Sequence, residues 1–588
     1  MKPIRRIVSG NEAIAIGAYK AHARFASGYP GTPSSEILEF FKAFDGVQAR
    51  WASNEKAGFE AALGAAIAGV RSFATMKHVG LNVAADPLMT SAYTGVNAGF
   101  VVVSADDPGM HSSQNEQDNR FYAKFAGIAL LEPSDAFEAI AYMQYAFRVS
   151  EEFDLPVLLR STTRISHSLG VVQYDPRPIK VEVEHKLAKD FRKFVMIPSN
   201  AIARHRVLIE KKRRLVEFSN ETPINKVEKG SLNWGIITSS MAYNYVKEVV
   251  PDAHVLKIGF SNPLPMEKIR QFVANLDRVV VVEELEPFME EQIKASGINV
   301  EGKRYFPEEG EFNLDIVEEG LRKAGLIRDE KTRVYFEDVD LPPRPPALCP
   351  GCPHRPVFDI LHSRRDAYIT GDIGCYTLGA LPPLSAMHTT VCMGASLSMG
   401  LGIALQNTES KVVSVIGDST FFHTGIQPLV DAYVAKANMT IIVLDNRITA
   451  MTGGQPDPGS GFTIDGERFD PISVAKLARS IGIERVFEID QYDYATAKEI
   501  INREIDHDGL SVIVATRPCV LMPKKIKGQP LVVTDKCTGC KRCLRIACPS
   551  ISFKDNRAII DATTCTGCEV CKNVCPVEGA IILPEEKP

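Results

Sequence analysis

Eight of the chain's thirteen cysteines lie in its last 52 residues. No other feature restricts so tightly what a stretch of the chain can become. The spacing is Cys537-x2-Cys540-x2-Cys543-x4-Cys548-Pro549, then Cys565-x2-Cys568-x2-Cys571-x3-Cys575-Pro576. Three thiolates at x2 intervals can wrap one corner of an iron–sulfur cubane. The fourth, set before proline, crosses to the other cluster in two-cluster ferredoxins. The pattern therefore predicts two [4Fe–4S] clusters, one on Cys537, Cys540, Cys543 and Cys575, the other on Cys565, Cys568, Cys571 and Cys548. Structural zinc sites use two CxxC pairs and rarely a third cysteine two residues further on. The x4 gap before Cys548 is one residue longer than the usual x3, which a loop can absorb. Such a module moves single electrons and implies redox chemistry elsewhere in the chain.

The rest of the chain reads as α/β. Apolar runs at 99–105, 155–161, 278–285, 411–419, 439–446 and 511–518 alternate with helical stretches. Continuous β-branched runs bounded by Gly, Asp and Asn suit buried parallel strands. A length of 588 residues predicts about three to five domains. Composition shifts mark their limits: a charged stretch at 186–230, read as exposed helix and linker, five prolines in 341–350, and a lysine-rich segment at 521–530. The pattern predicts about three doubly wound domains followed by a small cysteine-rich module.

One strand ends in Gly417-Asp418-Ser419-Thr420, and Asn446 closes the next, 28 residues after Asp418. This resembles the thiamine diphosphate motif, with Ser419 in place of its second Gly and Asp445 in place of its first Asn. A diphosphate needs a divalent cation, and hard oxygen ligands hold Mg²⁺. Asp418 and Asn446 would give side-chain oxygens and Ile448 a backbone carbonyl. The helix after Asp418 would offer amides to phosphate. Thiamine chemistry also needs a carboxylate to protonate the aminopyrimidine, and it typically opens a small-residue helix. Glu55, followed by Gly58, Ala61, Ala62, Gly64 and Ala65, is placed for that; a lone solvent-facing helix acid is the other reading.

Net charge is −5 and pI about 6.2, which gives no electrostatic footprint for nucleic acid. The short run 211-KKRR-214 reads as a solvated helix face. No apolar stretch reaches the ~18–20 residues of a membrane helix, and no signal-peptide core follows Arg5 and Arg6. Cysteines clustered in such a chain point to metal or redox chemistry before disulfides. The expected location is cytoplasmic.

Together these residues resemble the 2-oxoacid:ferredoxin oxidoreductases, and within them the large (alpha) subunits of the indolepyruvate branch. The resemblance covers essentially the whole chain. It rests on residues 10–36 with their YPGTPSSE ending, 349-CPGCPHR-355, 371-GDIGCYTLG-379, 392–404, 417-GDSTFFHTG-425 and the two-cluster tail. It implies a pyrimidine-binding thiamine domain over 1–190, a linker and transketolase C-terminal-like α/β domain over 191–335, a diphosphate-binding thiamine domain over 336–528, and a ferredoxin-like module over 529–588. It assigns Glu55 as the aminopyrimidine carboxylate, Thr32 as a hydroxyl meeting the substrate carboxylate, and Arg120 as a carboxylate-binding guanidinium. Met393 would hold thiamine in its bent form, and His423 would line the site, with His111 a weaker candidate.

Related enzymes hold a third cluster beside thiamine. The implied ligands here are Cys349, Cys352, Cys375 and Cys519, which leaves Cys392 as a packed free thiol. The implied reaction is oxidative decarboxylation of an arylpyruvate, with coenzyme A taking the acyl group and ferredoxin the electrons. The family's separate gamma-type module finds no room in 588 residues, so a partner beta subunit and an α2β2 tetramer are expected. Three alternatives stay open: a relative of different 2-oxoacid range, a non-oxidative thiamine decarboxylase with vestigial clusters, and an electron-transfer subunit without its own catalysis.

Overall fold

The computed structural model describes residues 4–175, 189–328, 345–406, 409–522 and 528–584. The expected boundary segments at 186–230, 341–350 and 521–530 lie partly outside the described residues. The chain divides into two compact units, Met1–Tyr335 and Phe336–Pro588.

In the first unit a seven-stranded sheet runs in the order Phe260–Asn262, Ala129–Leu131, Val157–Thr162, Phe100–Asp106, Ser72–Lys77, Phe25–Gly28 and Gln48–Trp51. Six of these strands are parallel. Every residue of Phe100–Asp106 and Val157–Thr162 is buried, because a strand covered by helices on both faces needs a continuous apolar run. The edge strand Phe260–Asn262 is antiparallel to Ala129–Leu131, and Asn262 Nδ2 donates to Ile128 O at 2.7 Å. A stretch read as part of the following domain thus finishes the first sheet.

A second sheet orders Arg278–Val282, Trp234–Ser239, His254–Ile258 and Lys226–Glu228, the last antiparallel. Between the sheets in sequence, helix Pro198–Glu221 is largely exposed, as its charge suggests. Lys211 departs from the solvated reading: it is buried and its Nζ lies 2.8 Å from Asp154 Oδ2.

The second unit is built on five parallel strands, in the order Ala367–Thr370, Lys411–Gly417, Met439–Asp445, Leu510–Thr516 and Val486–Ile489. Successive side chains of Met439–Asp445 alternate between two apolar clusters. Ile441 and Val443 face one, Ile442 and Leu444 the other, as the period of two requires. The expected doubly wound α/β architecture holds in both units. The cysteine-rich end forms two antiparallel pairs, Val532–Val533 with Ile581–Ile582 and Ile551–Lys554 with Arg557–Ile560. Its apolar residues Leu531, Ile546, Val570 and Ile581 join the same cluster as Ile442. So short a segment cannot bury an adequate core alone. Among the described residues, no helix is long and apolar enough to cross a membrane.

Candidate active site

In the second unit, strand register brings distant residues to one edge. Gly417 pairs with Leu444, and Asp445 with Thr516. Asp418, Asn446 and Cys519 therefore leave the sheet together at its carboxyl end, where open α/β sheets bind ligands. Asp418 is buried. Its Oδ1 accepts from Ser419 N at 2.8 Å and its Oδ2 from Arg447 N at 2.6 Å. Burial, then the carboxylates of Asp457 and Asp445, push its proton affinity well above the usual range. Asp457 is raised for the same reasons, burial first. Asp445 Oδ1 and Asp457 Oδ2 are buried without a hydrogen-bond partner. Crowded, desolvated carboxylates with idle oxygens are in conflict unless a cation joins them. Their chemistry suits a hard divalent ion.

Asn446 Oδ1 accepts from Ile448 N at 3.1 Å, while its Nδ2 faces His354 Nε2 at 3.4 Å. Ser419 Oγ is 2.7 Å from Thr449 Oγ1. After Asp418–Thr420 the helix widens into a π-turn, Phe421–Gly425, a distortion common at functional sites. His423 is buried there, with Nδ1 3.2 Å from Thr424 Oγ1. Thr424 Oγ1 in turn donates to the carbonyl of half-buried Met393 at 2.8 Å. A cavity of about 1080 Å³ opens beside this edge, lined by Arg447, Ile448, Arg468, Arg517 and Cys519 among others.

The cysteines fall into three neighbourhoods. Burial pushes the Cys352 thiol up to about 12, with Cys349 and Cys375 adding to it. Burial, then Cys519 and Cys349, raise Cys375 to about 11. Cys519 N donates to Asn446 O at 3.1 Å. In the tail, burial and then Cys575, Cys537 and Cys540 raise Cys543. Cys548, Cys565, Cys568 and Cys571 line one small cavity together with Cys352 and Arg355. Among the described residues no three His, Cys, Asp or Glu side chains gather as the ligands of one metal ion. A cubane presents a separate iron to each thiolate and so spreads its ligands wider. Cys392, expected as a packed thiol, is exposed. It lies three residues before helix Ala395–Ala404 and belongs to neither apolar cluster of this unit.

In the first unit the carboxyl edge carries Thr32, Glu55 and Lys77. Glu55 is buried at the start of helix Glu55–Ile67, whose N-cap Asn54 accepts from Ala57 N at 2.9 Å. Gly80 of helix His78–Val83 packs against Glu55: a Cβ there would sit 2.6 Å from Glu55 Oε1, so the missing side chain leaves room for the carboxylate. Half-buried Thr32 lies in a loop tied by Ser34 Oγ to Gly31 O at 2.8 Å and by Asn11 Nδ2 to Pro33 O at 2.7 Å. Lys77 ends its strand beside Gly31. Its Nζ donates to Ser112 O at 2.7 Å and lies 4.0 Å from Asp107, and burial lowers its pKa to about 8.

Arg120, expected to bind a substrate carboxylate, is paired with acids of the protein itself. Its side chain is 1% exposed. Nε donates to Asp118 Oδ2 at 2.8 Å, Nη1 to Glu283 Oε2 at 2.6 Å, and Nη2 to Asp118 and to the carbonyls of Glu284 and Glu286. The guanidinium is buried and neutralised by two protein carboxylates, Asp118 and Glu283, an arrangement of a structural ion pair rather than of an open carboxylate-binding group. Arg160 extends the network to Asp106 and Glu132. His111 is half exposed, and its Nε2 lies 3.3 Å from Glu311 Oε2.

A family model described as pyruvate flavodoxin/ferredoxin oxidoreductase, thiamine diphosphate-binding, matches residues 16–227. One described as thiamine pyrophosphate enzyme, C-terminal TPP binding domain, matches 372–515. The indolepyruvate oxidoreductase subunit IorA of Methanothermobacter thermautotrophicus is 42% identical over 98% of this chain and 97% of its own. The chain belongs to the indolepyruvate oxidoreductase IorA family. The IorA subunit of Archaeoglobus fulgidus is 40% identical over 96% of each chain. A 2-oxoacid:ferredoxin oxidoreductase beta subunit from Saccharolobus solfataricus is 29% identical over 29% of this chain and 61% of its own. Each unit of this IorA-family chain thus carries a thiamine diphosphate-binding domain.

Four residues of this IorA-family chain escaped the sequence reading: Lys77, His354, Arg355 and Asp457. Asp457 stands between two prolines in a loop without periodicity. His354 and Arg355 look like the tail of a CxxC motif. Lys77 is the last residue of the fully buried strand Ser72–Lys77, a position where a cation is unusual; that is the available signal.

Proposed function

We propose that this chain is the catalytic alpha subunit of a ferredoxin-linked oxidoreductase that oxidatively decarboxylates arylpyruvates, indolepyruvate among them, to aryl-acetyl-CoA. The observation that carries the reading is the convergence, at one sheet edge, of the carboxylates of Asp418, Asp445 and Asp457 with Asn446 and the thiol of Cys519. Asp418, Asn446 and the Ile448 carbonyl hold Mg²⁺, with Ser419 orienting the turn and Asp457 supplying further negative charge. When bound, thiamine diphosphate supplies the electron sink for decarboxylation.

Glu55 holds a proton on the aminopyrimidine, and its burial keeps that exchange away from bulk water. Thr32 and Lys77 orient the substrate carboxylate, Lys77 taking the part first expected of Arg120. Met393 and His423 shape the wall around the cofactor. Cys349, Cys352, Cys375 and Cys519 hold one [4Fe–4S] cluster, and the ferredoxin-like module over 529–588 holds two more. The remaining segments keep the domain roles given above for 1–190, 191–335 and 336–528. A beta subunit of gamma type completes an α2β2 assembly in the cytoplasm, with ferredoxin as acceptor.

The test is anaerobic co-purification with the beta subunit, then iron, sulfide and thiamine diphosphate per αβ unit, and turnover of indolepyruvate with coenzyme A and ferredoxin. About twelve irons would mean three cubanes, and one thiamine with turnover supports the reading. Iron without thiamine after Mg²⁺ reconstitution would turn it into an electron carrier. Faster turnover of pyruvate or 2-oxoglutarate would move the substrate class.

A further inference from the structure

Arg355 is a buried cation with an unusual set of partners. Its residue exposure is 2%. Nε donates to Cys349 O at 3.1 Å and Nη2 to Cys349 O at 3.0 Å and to Leu348 O. Nη1 donates to Ile546 O at 2.8 Å and to Ala547 O. One guanidinium therefore ties the backbone of the Cys349–Cys352 loop to the backbone just before Cys548. Its neighbour Arg542, by contrast, is paired with the carboxylate of Asp359 at 2.6 Å.

Carbonyls satisfy the N–H groups of Arg355 but do not neutralise its charge. Arginine stays protonated in proteins, and a buried charge without a counter-charge is strongly unfavourable. The electrostatic partners around it are sulfurs: Cys548, Cys352, Cys349 and Cys568. They belong to two different thiol sets. Arg355 also lines the small cavity enclosed by Cys548, Cys565, Cys568 and Cys571. The two loops are in close contact here. Gly351, at φ +69°, has no room for a Cβ against Thr566, and the Tyr492 hydroxyl donates to Gly351 O.

We propose that Arg355 is a positioning residue for electron transfer, its fixed positive charge shared between the thiol set of Cys349, Cys352, Cys375 and Cys519 and that of Cys548, Cys565, Cys568 and Cys571. The inference rests on the three-cluster reading above. A positive charge favours the more negative, reduced form of a cluster on either side and weakens repulsion between the two. An electron passing from one set to the other oxidises the first cluster and reduces the second by the same single electron. No bond or proton changes.

The experiment compares Arg355→Gln and Arg355→Lys in the anaerobic holoenzyme, by iron content and by potentiometric titration followed by electron paramagnetic resonance. For Gln, the reduced-to-oxidised ratio of the two adjoining clusters at a fixed potential should fall about tenfold, ~59 mV for a one-electron couple. The cluster on Cys537, Cys540, Cys543 and Cys575 should move much less. Lys should keep near-wild-type potentials. Loss of iron in Gln but not in Lys also supports a charge role. Wild-type potentials in a fully loaded Gln variant overturn it. So do equal shifts in Gln and Lys, or loss of iron in both, which would mean that the fork merely holds the loops. Eight irons in the wild type with arylpyruvate turnover intact would remove the third cluster and this proposal alone. Twelve irons without arylpyruvate turnover would sink the substrate reading and leave this one standing.

Discussion

Asn446 Nδ2 and His354 Nε2 lie 3.4 Å apart, joining the loop of the carboxylate site to the helix that follows Cys349 and Cys352. Burial, then Arg355, push the His354 ring down to about 4, so it is neutral and can accept from the Asn446 amide. Replacing a group that orients a metal ligand typically costs 10–100-fold in metal affinity. His354→Phe should therefore weaken Mg²⁺–thiamine diphosphate binding by about tenfold, read by calorimetric titration of the apo-holoenzyme pair. Unchanged affinity would mean that Asn446 is held well enough by Ile448 N.

Asp457 gives a prediction whose sign depends on the cation. Without Mg²⁺, Asp457→Asn removes one of the crowded carboxylates and should raise stability. A gain of about 1 kcal/mol corresponds to roughly 2–4 °C for a domain of this size. With Mg²⁺ and thiamine diphosphate present, the same variant should gain less from the ligands than the wild type does. Thermal scans with and without a chelator check both halves. A variant less stable in both states would count against the crowding argument.

Lys77 sets a pH dependence. Its charged form is the one that would meet a carboxylate, and that form is lost as pH rises through about 8. The KM for an arylpyruvate should therefore rise above that pH in the wild type. Lys77→Met should show a high KM at every pH. Losing a hydrogen bond to a charged group costs about 1.5–3 kcal/mol, roughly a 10- to 100-fold change, with thiamine affinity untouched. A pH-independent wild-type KM would exclude the residue from the substrate site.

Arg120 should behave in the opposite way. Arg120→Met strands Asp118 and Glu283 as buried acids, and breaking such a pair costs about 3–5 kcal/mol. The expected result is a large fall in denaturant midpoint, with the KM of surviving enzyme near normal. A KM effect without loss of stability would restore the guanidinium to the substrate.

What the sequence disclosed and what it hid divide along a physical line. Strands such as Phe100–Asp106 and Met439–Asp445 are legible because burial on both faces writes a continuous apolar run into consecutive residues. Asp418 and Asn446 are legible because they end adjacent strands of that kind. Arg120 is not, since its partner Glu283 is 163 residues away. Arg355 looked like a motif residue, and only the return of Ile546 and Ala547 beside it gives it a second role. Side chains whose function depends on a partner from another part of the chain leave no local periodicity to read.

The antiparallel edge strand has a consequence for biosynthesis. The last parallel strand of the seven-stranded sheet ends at Thr162, but the strand that covers its margin ends only at Asn262. At about 5–20 residues per second, the ribosome needs roughly 5–20 s to make the intervening hundred. For that interval Ala129–Leu131 has no neighbour on one side, and an unpaired strand margin is a template for the wrong chain. The nascent first half is therefore a client for protection until residue 262 has emerged. A fragment cut at residue 190 would keep that vulnerability permanently.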